Sequence, residues 1–254
     1  RRQRQMCIRD SSNPFSGQLF DGEILHATGL GTNVPLSKLN GGRPFVLLDA
    51  CEETPTVDAV NFPNEEAERA AMQHLIDRGC RNIAIVGHRF APRADLAHAQ
   101  NAFALRLRGA CGALSDAGLP YDESMVFEAG DVANGIIAGH AIAERILAAR
   151  SGHGGTEFDG ACCANDFAAF GVIRGLADRG LRVPQDVKVI GFDGVTSGSY
   201  TTPALSTIQV DLTQLAKFSV DMLSERIDHG TDEALPPRRA IIGYQLVDRE
   251  STAV

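Results

Sequence analysis

The sequence predicts an α/β fold with parallel sheets flanked by helices, and three observations carry this prediction. Short apolar runs of strand length alternate with longer segments whose apolar residues recur at helical spacing. Polar capping residues and glycines separate the two kinds of segment. The 254 residues are 44% hydrophobic and 22% charged, which is typical of a globular chain with a sizeable core. Alternation of this kind places helices on sheets of parallel strands.

The clearest strand–helix–strand unit lies in the second half of the chain. Gly160–Ala164 and Val187–Phe192 are predicted as buried strands. Asn165 is placed to cap a helix over Phe167–Arg179. If the two strands are neighbours, their carboxyl ends lie about 5 Å apart. Asn165 and Asp193, which follow these ends, would then share the crevice where open α/β sheets bind ligands.

The rest of the chain continues the alternation. Asn64 is placed to cap a helix over 65–78, and Asp211 caps another helix that follows it. The run Ser151–Gly155 is predicted as a connector because it is rich in glycine. Further strands are predicted within 20–31 and at 44–49, 82–86, 126–128, 205–210 and 240–247, and further helices at 103–114 and 135–149.

The first eleven residues do not follow this pattern. Arg1–Ser11 is basic and polar, and its MCIRDS portion resembles translated sequencing-adaptor read-through. We interpret the segment as a non-native tail and exclude it from the predicted fold. A disordered basic tail is the alternative.

Net charge and cysteine spacing argue against a general nucleic-acid or membrane surface and against a disulfide-bonded protein. The net charge of −8 provides no general basic surface for nucleic acid or a membrane, and no apolar run is long enough to span a bilayer. The six cysteines form no CxxC pair, and several lie inside apolar runs, as reduced core thiols of a cytoplasmic protein do. They are Cys7, Cys51, Cys80, Cys111, Cys162 and Cys163.

Motifs of catalysis and cofactor binding do not occur in the sequence. It contains no GxGxxG after a strand, no GxxxxGK[ST], no HExxH and no GxSxG, and its seven histidines are scattered. We therefore expect no enzymatic activity, cofactor or metal site. The alternative is an acid–base pair assembled from Glu66, Asp166 and Asp193 in a cleft.

Three segments in order carry a family resemblance. ANDFAAFGVIRGLADRGLRVPQDVKVIGFDG at 164–194, YTTPALSTIQVDLTQLA at 200–216 and LVDREST at 246–252 closely resemble the LacI/GalR family of transcriptional regulators. RLRGACGALSDAGL at 106–119 resembles the family's arginine-bearing segment. The resemblance extends from about Phe20 to Ser251. It implies a two-lobed periplasmic-binding-protein-like (type I) fold, with an N-terminal lobe of 12–79 plus 209–238 and a C-terminal lobe of 80–208 plus 239–254.

The same resemblance implies that part of the regulator is missing. Family members begin with a helix-turn-helix domain and a hinge helix, and no segment here matches either. SSNPF at Ser11–Phe15 resembles the motif after the first core strand, but FDGEIL, which resembles a later strand, follows almost at once. Either an α/β stretch has been lost between them or the match is accidental. We expect an incomplete N-terminal lobe, and hence a fragment of a regulator.

The family's effector contacts fall on Arg106, Asn165 and Asp193. Their donors and acceptors together suit the vicinal hydroxyls of a sugar. Ordinary structural roles are the alternatives: an exposed helix arginine, a helix cap and a strand-end turn residue. Asn64 and Glu66, at the start of the first helix, are further candidate contacts. Val132 stands where some relatives have a stacking aromatic, and because the chain has no tryptophan, stacking would need Phe or Tyr, or be absent.

The resemblance also implies a mechanism and partners. An effector bound between the lobes would change their relative angle, and so the spacing of two DNA-binding heads in a homodimer. Operator DNA would be bound only through the missing N-terminal domain. The helix 167–179 and the loop 196–203 match family dimer surfaces, with plain solvent exposure as the alternative. A sugar-binding protein of a transport system is the second candidate, although VPQDV and TTPALSTIQVD favour the cytoplasmic regulator.

Overall fold

A computed structural model describes residues 6–9, 20–27, 43–52, 54–128, 135–151, 158–229 and 235–253. The chain divides into two compact units, each with one sheet. Unit 1 comprises 1–63, 100–102 and 211–243, and unit 2 comprises 64–99, 103–210 and 244–254. None of the described helices is long and apolar enough to cross a membrane. The predicted alternation of parallel strands and helices is confirmed.

Unit 1 contains a five-stranded parallel sheet. Its strands, in spatial order, are β1 (Met6–Arg9), β2 (Gly22–His26), β3 (Phe45–Leu48), β4 (Ala59–Asn61) and β10 (Arg239–Ile241). The helix α6 (Leu212–His229) packs on β2, β3 and β4. Asp211 caps this helix, as predicted, because its Oδ1 accepts the backbone N–H of Gln214 at 2.9 Å.

Strand β1 corrects the exclusion of the first eleven residues from the fold. Met6–Arg9 pairs in parallel with β2, and Ile8 lies opposite Ile24. A basic and polar segment without periodicity predicts no strand, but four residues with apolar members are enough for one edge strand. Strand pairing depends on backbone hydrogen bonds, so an unpatterned segment can join a sheet when an open edge is nearby.

Unit 2 contains a six-stranded sheet in the order β11 (Tyr244–Val247), β9 (Ser206–Val210), β8 (Lys188–Asp193), β7 (Gly160–Cys163), β5 (Ile83–Val86), β6 (Val126–Phe127). All neighbours are parallel except β11, which is antiparallel to β9. The helices of this unit are α1 (Asn64–Asp77), α2 (Arg93–Leu96), α3 (Ala102–Asp116), α4 (Gly135–Ser151) and α5 (Asp166–Asp178).

Helices lie on both faces of this sheet. Ala161 and Cys163 share an apolar core with residues of α4 and α5. Cys162, which points to the opposite face, contacts Glu68 of α1. Two covered faces explain why β5 and β7 are uniformly buried apolar runs rather than alternating ones.

Two segments differ from the sequence-based boundaries. The run predicted as one strand over 240–247 is two strands in different sheets, β10 in unit 1 and β11 in unit 2, with Ile242 and Gly243 between them. Periodicity could not reveal this break because both halves are strand-like. Helix α1 lies in unit 2, where it contacts β7, β8 and β9, whereas the sequence-based division at residue 79 assigned it to the first lobe.

Helices α4 and α5 pack closely because glycines line their contact. A Cβ at Gly171 would meet the backbone carbonyl oxygen of Ile136, and one at Gly139 would meet that of Ala168.

The predictions for Ser11–Phe15, Val132 and most of the connector Ser151–Gly155 concern positions outside the described residues.

Candidate functional site

The site is built at the carboxyl edge of the unit 2 sheet. Strands β7 and β8 are adjacent and parallel, with Ala161 opposite Val189 and Cys162 opposite Ile190. The condition of the sequence-based prediction, that these two strands are neighbours, is therefore met. Asn165 follows the end of β7 and Asp193 ends β8, so both residues lie at the same edge.

Asn165 caps helix α5. Its backbone is extended, and its Oδ1 accepts the N–H of Ala168 at 2.8 Å. The structural role considered for this residue is thus real. The cap uses only the carbonyl oxygen of the side chain, so the amide nitrogen is not part of it.

Asp193 ends its strand in a constrained backbone conformation. Its φ is +118°, in a region that residues other than glycine rarely adopt. Gly194 follows with φ +79°, and a Cβ there would lie 2.6 Å from the backbone of Gln209. The chain therefore turns sharply against β9. The Asp193 side chain is 39% exposed, so its carboxylate remains accessible at the edge.

The buried carboxylate of Asp166 fixes this turn. Its Oδ2 accepts the N–H of Val195 at 2.7 Å, and its Oδ1 accepts the hydroxyl of Thr207 at 2.6 Å. Burial raises the pKa of Asp166 to about 6, although these hydrogen bonds oppose the rise. The first residue of α5 is thereby tied to the loop that carries Asp193.

Arg106 reaches the same edge from α3. Its Nε donates to Asn64 Oδ1 at 2.8 Å, and its Nη1 donates to the carbonyl oxygen of Ala164 at 2.5 Å. The residue is only 8% exposed. The alternative of an ordinary exposed helix arginine is therefore wrong. Asn64 is the first residue of α1, and it orients this guanidinium.

Aromatic rings complete the surroundings of Arg106. Its guanidinium carbon lies 3.7 Å from the centroid of the Phe192 ring and 6.0 Å from that of Phe103. Its Nη1 lies 4.0 Å from Asp193 Oδ1. At that distance the charges attract each other without a direct hydrogen bond. A polar ligand could therefore bind to both groups.

Glu66 occupies a different place. Its side chain is exposed, and one carboxylate oxygen accepts the hydroxyl of Tyr244 at 3.4 Å. Among the described residues, its hydrogen-bond partner is Tyr244 rather than Arg106 or Asp193. Residues 64 and 66 lie about 200° apart around a helix, so both cannot face the same side. The structure thus brings Asn64, Arg106 and Asp193 together, with Asn165 beside Ala164, and leaves Glu66 apart.

Sequence reasoning missed three participants at this edge. Phe192 was predicted only as a strand residue, and its contact with Arg106 depends on tertiary structure. Glu68 and His88 form a buried pair that was not considered. His88 follows the end of β5, so the rule that identified Asn165 and Asp193 could also have identified it.

Within the described ranges, no group of three His, Cys, Asp or Glu residues could hold a metal ion.

Comparisons with known proteins agree with this architecture. Residues 72–252 match the family model of the periplasmic binding protein-like domain. The transcriptional repressor PurR of Aliivibrio fischeri (strain ATCC 700601 / ES114) is 30% identical over 208 residues, which cover 82% of this chain and 58% of that protein. The chain thus spans well under two thirds of the length of this curated relative.

Two solved structures share the fold and contain sugars. The complex of the transcriptional regulator CelR with cellobiose has a TM-score of 0.75 and 28% identity, covering 92% of this chain and 67% of that one. A LacI family transcriptional regulator from Enterococcus faecium with bound ribose has a TM-score of 0.72 and 26% identity, covering 92% and 80%. The predicted fold class is therefore confirmed.

Proposed function

This chain belongs to the periplasmic binding protein-like domain family, as an effector-binding core of the LacI/GalR type, and from that premise we propose that it senses a small sugar for a transcriptional regulator. The sugar would bind at the carboxyl edge of the unit 2 sheet. Arg106, Asn165 and Asp193 would be its main polar contacts, with Asn64 holding Arg106 in place.

The observation that carries this proposal is the arrangement around Arg106. Two acceptors and one aromatic ring fix its guanidinium group, which ends 4.0 Å from the carboxylate of Asp193. Preorganised charged groups bind polar ligands well, because less side-chain entropy is lost on binding. A pair of neighbouring hydroxyl groups could accept from Arg106 and donate to Asp193 at the same time.

Glu66 is a weaker candidate contact. Its exposed carboxylate is engaged by Tyr244 rather than by the groups around Arg106. A role in binding would require that carboxylate to exchange Tyr244 for the ligand. We therefore propose Glu66 only as a peripheral contact.

The regulatory part of the proposal is supported by the relatives. PurR is named as an HTH-type transcriptional repressor, and the two solved sugar complexes are of transcriptional regulators. These names favour a regulator over a transport protein. We propose that sugar binding changes how the regulator binds its operator, by shifting an equilibrium between two states. The change in angle between lobes, which the family resemblance implies, stays a prediction.

Further parts of the proposal follow from the same family. We propose a cytoplasmic homodimer without enzymatic activity. Phe167 of α5 and Tyr200 in the loop after β8 are exposed aromatics, and they lie on the two segments predicted as dimer surfaces. Exposed aromatic residues are common at subunit interfaces. Analytical ultracentrifugation of Tyr200→Ser beside the parent protein would test this part, and an unchanged sedimentation coefficient would exclude Tyr200 from the interface.

Binding measurements test the central proposal. A thermal-shift screen with monosaccharides and disaccharides identifies the sugar, because a ligand at about a hundred times its Kd stabilises a protein by about 2.7 kcal/mol. Calorimetry then compares the parent with Asp193→Asn and Arg106→Ala. A hydrogen bond to a charged group contributes about 1.5 to 3 kcal/mol, so each change should weaken binding roughly ten- to a hundredfold. Folded variants that bind as tightly as the parent would show that the site lies elsewhere.

A further inference from the structure

Two ionisable side chains are buried close to the Arg106 site. Glu68 of α1 is 0% exposed, and His88, just after β5, is 1% exposed. The distance from Glu68 Oε1 to His88 Nε2 is 3.6 Å. This is too long for a direct hydrogen bond, although the two groups are near enough to attract each other if the imidazole is charged.

Three polar atoms of this pair have no hydrogen-bond partner among the described residues. They are Glu68 Oε2 and both ring nitrogens of His88. Leaving a buried polar atom unsatisfied destabilises the folded state, because the atom has lost its hydrogen bonds to water. Folded proteins therefore satisfy nearly all such atoms, with protein groups, ordered water or a ligand. Three such atoms on two neighbouring side chains indicate a place for a polar group that does not belong to this chain.

The pair adjoins the proposed sugar site on two sides. Glu68 is four residues after Asn64, so both lie on the same face of α1. The ring of Phe103 is near both His88 and Arg106, with its centroid 6.1 Å from that of the His88 ring and 6.0 Å from the Arg106 guanidinium carbon. Phe103 is therefore a common neighbour of His88 and of the guanidinium.

The strands place His88 at the same sheet edge as Asn165. Val86 of β5 pairs with Cys163 of β7, so the residues that follow the two strands are neighbours. The burial of the pair does not set it apart from the site, because Asn64 is itself only 2% exposed. All of these polar groups belong to unit 2.

We propose that Glu68 and His88 form a second polar subsite that holds a hydroxyl group of the sugar, an inference that rests on the proposed function. A hydroxyl group both donates and accepts. It can donate to Glu68 Oε2 and accept from a ring N–H of His88, and it thereby satisfies two of the three unpartnered atoms. The carboxylate would repel an anionic group, and the nearby arginine would repel a cationic one.

A metal ion fits this pair poorly. The third nearby ligand would be Cys162, whose Sγ lies 3.4 Å from Glu68 Oε1. Burial and the neighbouring Glu68 raise the pKa of the Cys162 thiol well above its usual range, so the thiol stays protonated. A protonated thiol is a poor metal ligand. The unpartnered atoms are thus better suited to a neutral hydroxyl group.

Deoxy sugars test the proposal in the full chain. The probes are D-ribose, D-glucose, D-galactose and cellobiose, with the monodeoxy derivatives of whichever binds. Glu68→Gln keeps the shape of the side chain and removes its charge, and His88→Leu removes both nitrogens. Glu65→Gln, on the same helix but partly exposed and paired with Arg108, and His98→Leu, at an exposed position, are the matched controls.

The proposal predicts a specific pattern of affinities. The parent should bind one monodeoxy derivative at least tenfold more weakly than the complete sugar, because a buried site that bonds a hydroxyl group rejects a ligand without it. Glu68→Gln and His88→Leu should bind the complete sugar at least tenfold more weakly and should lose this discrimination. Such non-additivity reports a direct contact. The two controls should keep both the affinity and the discrimination of the parent.

Two outcomes overturn the proposal. If the parent binds a sugar and both variants discriminate among the deoxy derivatives as the parent does, the pair holds water only and the sugar site itself survives. If the parent binds none of the probes, the hydroxyl subsite fails together with the proposed function. If His88→Leu does not fold, as judged by circular dichroism, the isosteric Glu68→Gln variant decides alone.

Discussion

The guanidinium carbon of Arg106 lies 3.7 Å from the centroid of the Phe192 ring, and Phe192 directly precedes Asp193. Strand β8 therefore supplies both the aromatic surface that orients the cation and the carboxylate 4.0 Å from it. A cation over an aromatic face gains about 0.5 to 2 kcal/mol, with the larger values at desolvated sites. The position of the arginine thus depends partly on a core residue, Phe192, besides the two acceptors on Asn64 and Ala164.

We expect Phe192→Leu to weaken sugar binding without removing any polar contact. Loss of the cation–π interaction should lower the affinity roughly three- to thirtyfold, because the guanidinium loses one of the groups that fix it. Calorimetry with the sugar found by thermal shift measures this effect. Phe158→Leu is the matched control, since Phe158 is also buried in unit 2 but packs on Phe127. Equal losses in the two variants would mean that general loosening of the core is responsible.

The second prediction concerns Asp166 and pH. The pKa of Asp166 is about 6 in the folded protein, and its ordinary value is 3.8. Its protonated carboxyl group therefore stabilises the folded state fully below pH 3.8, and this stabilisation is lost as the pH rises through 6. The shift corresponds to at most about 3 kcal/mol, since one pKa unit is about 1.4 kcal/mol. Asp166→Asn should flatten the pH dependence of unfolding between pH 4 and pH 7.

Chemical denaturation across that pH range measures this effect. Asp178→Asn, at the exposed end of the same helix, is the control. Hydrogen bonds from Arg174 and His140 lower the pKa of Asp178, so its titration lies below the window. If the free energy of unfolding varies with pH as steeply in Asp166→Asn as in the parent, the titration does not belong to Asp166.

The third prediction concerns the contact of α4 with α5. Gly171→Ala should destabilise unit 2 by about 3 kcal/mol, because the new methyl group meets backbone atoms of Ile136 and His140, which cannot move independently of their helix. Thermal unfolding followed by circular dichroism measures the change. Gly112→Ala is the control within α3, where a Cβ meets only the flexible side chain of Arg69. We expect that variant to stay within about 1 kcal/mol of the parent, since alanine favours helix.

The fourth prediction concerns a buried carboxylate in unit 1. Asp58 accepts from Arg226 at 2.8 and 3.0 Å and from Arg238 at 2.9 Å. Burial alone would raise its pKa, but these hydrogen bonds outweigh that effect and lower the pKa below 3.8. The stabilisation is therefore present above about pH 4 and is lost as the pH falls through the folded pKa.

Asp58→Asn should cost about 2 to 4 kcal/mol at pH 7, because it leaves Arg226 without its counter-charge and Arg238 with Glu225 alone; the range allows for the partial exposure of both arginines. The difference in the free energy of unfolding between Asp58→Asn and the parent should shrink below pH 4. Asp221→Asn on α6, which breaks an exposed pair with Lys217, should change stability by less than about 1 kcal/mol. A constant difference between Asp58→Asn and the parent from pH 7 to pH 3 would argue against this ion-pair mechanism.

Much of the architecture was predictable from local sequence. The strand ending at Cys163, the cap at Asn165 and the helix that follows match the prediction within one or two residues, because capping and periodicity are properties of neighbouring residues. The convergence of Asn165 and Asp193 was also predictable, since parallel strands that are neighbours end at one edge. Family resemblance added Arg106, which no local pattern distinguishes from the other arginines.

Other features depended on contacts between distant residues. Periodicity could not divide 240–247 between two sheets, and an unpatterned run gave no indication that Met6–Arg9 would pair with β2. The placement of Glu66 beside Tyr244 depends on how α1 rotates against the sheet.

The sequence by itself determined the class of fold, the order of most elements and the edge at which polar residues gather, because these follow from the chemistry of adjacent residues. Only the tertiary structure decided which polar groups meet there. The stacking of Arg106 on Phe192 joins residues more than eighty positions apart, and the burial of Glu68 against His88 joins residues twenty positions apart. Such contacts are set by packing rather than by local propensity.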